Sequence, residues 1–225
     1  MIQEERLDQP NPFADDDGSV APLLAAALDC EDVGEKCEAV VSALASSRIF
    51  VAIFPPADGE SEAQQGSVQV GGREAFAIFS DAEAVAAFSE QARPLPLLGR
   101  NAATQALMAS GIIYLNPSDA EGADGFLLGR SACAAIASAD EWVAPWNDDE
   151  IRARLREAVR VVERVIDIWL RPTPNGAVLI ALQMSETSAR SDAERATVLI
   201  SHALSHDEYL SARLDLVHIV PVRTA

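Results

Sequence analysis

His202 and His206 stand four residues apart, the spacing that puts two imidazoles on one face of a helix at metal-ligand separation. The pair lacks the glutamate of an H-E-x-x-H zinc helix, position 203 being Ala203, and no cysteine lies near it in sequence. It therefore reads as a partly solvated surface pair, and no metal ligand is assigned. His218, alone in an apolar run, reads as a packed or edge residue. Cys30, Cys37 and Cys133 are an odd number without a C-x-x-C pair, as expected of small buried hydrophobes in a reducing compartment. No G-x-S-x-G elbow and no S-x-x-K occurs to activate a serine. The Asp15–Asp17 run lacks the alternating ligands and terminal glutamate of a calcium loop, and Glu4–Glu5 and Asp148–Asp149 are solvated or helix-capping charges. No catalytic or cofactor-binding residue is assigned, and the chain reads as non-catalytic.

Two features retain a binding interpretation. Arg152, Arg156, Arg160 and Arg164 recur every four residues, a basic stripe in an acidic molecule that would dock an acidic segment, either Asp15–Asp17 or part of a partner. The loop from Asn116 to Gly125, with Asn116 and Ser118 as orienting groups, is the candidate groove for an amino acid or similar metabolite.

The elements that must position these residues follow from periodicity and punctuation. Apolar spacing predicts two short helices between Ala21 and Ser46, interrupted at 29–34, then a strand over Arg48–Phe54 stopped by Pro55 and Pro56. Runs at 67–70 and 74–79 flank Gly71-Gly72 and predict a hairpin. Ser80 with Glu83 predicts a capped helix to about Gln91, Pro94 and Pro96 an extended connection, 102–110 a helix and 112–115 a second buried strand. After the loop, Phe126-Leu127 leads into a helix over 131–138. Beyond Asp140–Pro145, Asn147 with Glu150 caps a helix carrying Ile151, Leu155, Val159 and Val162 inward. Strands at 165–170 and 177–184, a helix opened by Ser191 and Glu194, and a strand at 214–220 complete an α-β-β-α-β order. The expected fold is α+β, two small α/β domains, each a mixed sheet flanked by helices. The boundaries are a mobile acidic tail at 1–20, domains at 21–140 and 147–225, and a linker at 141–146.

With 35 acidic against 17 basic residues the chain carries a formal net charge of −18 over 225 residues, and 49% of it is hydrophobic. That is globular composition, and the acidity argues against nucleic acid and anionic membrane surfaces as partners. The N-terminal residues show no basic leader with an apolar run, and no stretch approaches about 20 apolar residues, so a cytoplasmic protein without membrane spans is expected.

The blocks Arg48-Ile49-Phe50-Val51, Ala75-Phe76-Ala77-Ile78-Phe79-Ser80-Asp81, Pro94-Leu95-Pro96 and Gly111-Ile112-Ile113-Tyr114-Leu115-Asn116-Pro117, taken in order, resemble the N-terminal domain of the bacterial SseB family, named for enhanced serine sensitivity. The resemblance covers roughly 22–140, and the second half is similar to the α/β extension of longer members. Where the family often carries a tryptophan on the helix after the phenylalanine-bearing strand, the nearest aromatic here is Phe88. The resemblance implies a fold and brings no catalytic residue or cofactor. The reading is a non-catalytic cytoplasmic protein-interaction module, with small-ligand sensing as the alternative.

Overall fold

The computed structural model describes residues 13–56 apart from Asp15, and residues 64–223 apart from Glu121 and Ala123. Most of the expected acidic tail, residues 1–12 and Asp15, lies outside these residues. Its last few residues are docked: Arg48 bonds Asp16 Oδ1 at 2.8 Å, and Gly18 O accepts from Ala82 N at 2.9 Å.

Helices α1 (Pro22–Leu28) and α2 (Val33–Leu44) are separate, as the interruption at 29–34 predicts. Pro22 occupies the first turn of α1, and Asp32 caps α2 by accepting from Glu35 N. Leu24, Val40, Val41 and Leu44 bury against one core with Ile49, Val51, Ile113 and Leu128. Strand β1 (Arg48–Phe54) is the middle of an antiparallel three-stranded sheet, between β2 (Gln64–Gln65) and β5 (Arg93–Leu98). The proline-bearing connection is thus a strand. Pro94 and Pro96 stand opposite Ala52 and Phe50. The Ala52 carbonyl bonds Gly66, and both Phe50 backbone groups bond Phe79, so neither proline removes a ladder bond.

A second sheet orders β3 (Ser67–Val70), β4 (Arg73–Ile78), β6 (Ile113–Leu115) and β7 (Phe126–Leu128), with β4 and β6 parallel. Gly71 and Gly72, at φ 58° and 76°, make the left-handed pair that the β3–β4 hairpin requires. The Phe50–Phe79 bridge joins this sheet to the first, where a single mixed sheet was expected. Helices α3 (Ala82–Phe88), α4 (Gly99–Met108) and α5 (Arg130–Ser138) flank the pair. The cap of α3 is Asp81 rather than Ser80.

After a 3₁₀ turn at Pro145–Asn147 come α6 (Asp149–Val159), β8 (Val165–Pro172), β9 (Val178–Met184), α7 (Arg190–His206), α8 (Glu208–Arg213) and β10 (Val217–Arg223). The order is α-β-β-α-α-β, one helix more than predicted. Asp207 caps α8 by accepting from Tyr209 N and Leu210 N. The third sheet runs β10-β9-β8, with β9 antiparallel to β8 and parallel to β10. Ile151 and Leu155 of α6 and Ala196 and Ile200 of α7 cover one of its faces, burying Ile168, Leu170, Ile180 and Leu182. Helices flanking sheets in three groups make the architecture α+β.

Candidate functional site

The arginine stripe is not one helical face. Helix α6 ends at Val159, Arg160 is its C-cap, and Arg164 lies beyond it. Arg152 bonds Asp149 at 3.0 Å and the Trp146 carbonyl at 3.3 Å; Arg156 bonds Asp167 at 2.6 Å; Arg160 pairs with Glu157; Arg164 bonds Thr187 Oγ1 at 3.0 Å. The Arg156 guanidinium holds the Asp167 carboxyl below its ordinary range. A docking segment would therefore compete with internal partners at three of the four positions, and meet only a neutral hydroxyl at Arg164.

Asn116 sits in the left-handed region at φ 53° and its amide is used within the fold. Oδ1 accepts from Ser80 N at 2.8 Å and Nδ2 donates to Ser80 Oγ at 3.0 Å, clamping the end of β4 to the end of β6. Ser118 Oγ lies 3.3 Å from Asp124 Oδ2. Both side chains thus have partners within the fold, Asn116 in Ser80 and Ser118 in Asp124. Cys37 and Cys133 are buried, and burial pushes both thiols up to about 12, which makes them inert; Cys30 is partly exposed.

The seam between the halves is closely tied. Trp146 Nε1 and Asn147 Nδ2 both donate to Glu38 Oε1, at 3.3 and 2.8 Å, and Asn175 O accepts from Leu127 N at 2.7 Å. Asp215, 6% exposed, accepts from Arg130 N at 2.5 Å and faces Arg73 at 3.4 Å. It thereby caps α5, whose own N-cap Gly129 has no side chain to offer. The cavity left in this seam, lined by Cys37, Leu128, Trp146, Val178 and Asp215 among others, is about 30 Å³. That volume holds a water molecule and excludes an amino acid.

The least explained surface is the second face of the C-terminal sheet. Register places Val220, Ala181 and Trp169 in one row across β10, β9 and β8, with Val222, Gln183 and Asp167 on one side of it and His218, Leu179 and Arg171 on the other. Trp169, Val220 and Val222 are 38%, 41% and 42% exposed. A face left to water ordinarily alternates to polar residues, and this apolar row departs from that rule. The signal lies in 178–184, apolar on both faces, whereas sequence reasoning took it for an ordinary strand. The acidity is elsewhere: residues 147–225 hold 10 of the 17 basic and 12 of the 35 acidic residues, a net −2 against −16 for residues 1–146.

The fold defines an α+β protein in which, among the described residues, no three metal-ligating side chains gather. No helix among them is long and apolar enough to cross a membrane. Residues 20–124 match the family model described as the SseB protein N-terminal domain, so this part of the chain is similar to that domain. No curated protein and no solved structure matches it.

Proposed function

We propose that the chain is a non-catalytic protein-interaction module of the SseB type, acting in the cytoplasm, whose C-terminal sheet docks an amphipathic helix of a partner protein with acidic flanks. The row Val220–Ala181–Trp169 on a sheet face that no described element covers carries this reading. Seven residues of strand span about 23 Å and three strands about 14 Å, an area of roughly 300 Å². A flat contact with a second copy would need about 800 Å² per partner, well beyond this face. One helix of about 15 residues, 22 Å long and about 10 Å wide, fits it.

The polar surround sets the partner's charge. Arg171 and His218 border the row on one side, Arg164 lies in the turn before β8, and Arg156 reaches the face through Asp167. Acidic residues flanking the partner's apolar stripe would complement them, which retains the docking role of the arginine stripe in part. The division into units at 21–140 and 147–225 belongs to the same proposal, the first acting as an acidic body and the second presenting the face.

Affinity capture from native extract tests it, with wild type and the Trp169→Glu, Val220→Glu double variant as baits of equal thermal stability. A specific protein held by wild type should fall by more than about tenfold on the variant, since a central aromatic anchor is worth about 2 kcal/mol or more. Retention should also weaken from low to moderate salt. Recovery of the same proteins by both baits would overturn the docking face.

A further inference from the structure

His202 and His206 lie on the solvent side of α7, opposite buried Ala196 and Ile200, and their rings stack with centroids 4.0 Å apart and planes 9° from parallel. His206 Nδ1 is 2.9 Å from the His202 carbonyl oxygen. A carbonyl only accepts, so Nδ1 carries the proton and Nε2 presents a bare lone pair. This is the kind of supporting bond that metal-ligating histidines usually make, and it sets the His206 tautomer. Two imidazole nitrogens bound to one ion at about 2.0–2.1 Å lie roughly 3 Å apart, so the two exposed rings must turn out of their parallel stack, about their side-chain torsions, to converge on it.

The surroundings favour a cation. His206 is the last residue of a 17-residue helix, where the carbonyl end of the dipole attracts positive charge. Glu208 lies on the rim of the same concavity as His206 and adds negative charge. Arg154 and Arg213, also on that rim, are both engaged, Arg154 by Glu150 and Asp207 at 2.7 and 2.8 Å and Arg213 by Asp148 at 3.3 Å. Imidazole donors select the borderline transition ions over magnesium and calcium, which take oxygen ligands. We propose that His202 and His206 form a two-nitrogen site for a divalent ion of the copper, nickel or zinc class, its remaining positions open to water or to a donor from a second molecule. The site is independent of the sheet face, on the opposite layer of the same sheet.

Calorimetric titration of the full chain with NiCl2 and with ZnCl2 alone tests it, using wild type, His202→Gln and His206→Gln, with His218→Gln and Cys30→Ser as controls. Circular dichroism confirms that each variant keeps its helix content. The expected result is one equivalent bound by wild type and by both controls, at least about tenfold weaker in either helix variant, and undisturbed by excess Mg²⁺. Copper(II) bound to the Cys30→Ser chain should show two nitrogen couplings by electron paramagnetic resonance, and one after His206→Gln. Absence of stoichiometric binding in wild type, an isotherm unchanged by both helix variants, or loss in either control would each overturn the assignment.

Discussion

Replacing Asp215 by Ala removes one carboxylate that serves both halves of the chain. Its Oδ2 caps α5 through Arg130 N, and its Oδ1 faces Arg73. The approach depends on Gly129, where a Cβ would come within 2.8 Å of Oδ2. Loss of a helix cap costs about 1 kcal/mol, and leaving the donor orphaned in a closed seam raises that to about 2. The Arg73 contact is long and its side chain is 37% exposed, so it adds only a few tenths of a kcal/mol. Asp215→Ala should therefore lower stability by about 2 kcal/mol in urea titration and Tm by about 4–8 °C for a chain of this size. Asp215→Asn, which keeps an acceptor, should lose about half as much, and Arg73→Gln less than about 0.5 kcal/mol. Under the proposed two-unit division, the Ala variant should also let fluorescence and circular dichroism transitions separate. A variant within about 0.5 kcal/mol of wild type would refute the reasoning that Asp215 holds the seam.

Leu155, fully buried beneath the C-terminal sheet, should cost about 2–5 kcal/mol on replacement by Ala, read by thermal or urea unfolding. Gly176 has φ 83°, and a Cβ there would meet the Leu127 carbonyl oxygen at 2.4 Å. Gly176→Ala should lose at least about 1–2 kcal/mol from the backbone conformation alone, seen as a lower urea midpoint. Cys37 and Cys133 ionise near 12 when folded, against 9.0 for an exposed thiol. Between those values the unfolded chain holds fewer protons than the folded one, so stability falls as pH rises, by up to about 1.4 kcal/mol per unit and thiol. A series of urea titrations from pH 8 upward should show that slope, and the double Ala variant should flatten it.

The main strands and helices are legible because their apolar spacing and their turn residues agree, as at Gly71-Gly72 and at Asp32 ahead of α2. The capping residues are less so. Ser80 and Asn147 are plausible caps, but Asn116 engages Ser80 and Glu38 engages Asn147, leaving the charged neighbours Asp81 and Asp148 to face the helix dipoles. Strand β5 hides behind prolines that are harmless only because β1 spends its backbone groups elsewhere, a fact of pairing that local sequence does not carry. Helix α8 is too short to show a period. The arginine spacing suggests a continuous face, yet buried Val162 turns the chain inward toward β8 and exposes Val161, which ends the helix before Arg164. The sheet face escapes notice for a related reason. Val178, Ile180 and Leu182 and the alternate Leu179 and Ala181 make one apolar run, and only the register with Trp169 and Val220 shows which members lack a covering layer.

The docking face is tested most directly by photo-crosslinking in cells, with a benzophenone amino acid placed in turn at Val220, Val222 and Val198. Val198 is equally apolar and 66% exposed, but lies on α7, across the sheet from the proposed site. Discrete adducts with a partner protein should form from positions 220 and 222 and not from 198, and Trp169→Glu should abolish them. Adducts from 198 alone, or none from 220 and 222, would contradict the assignment of this sheet face as the interaction surface.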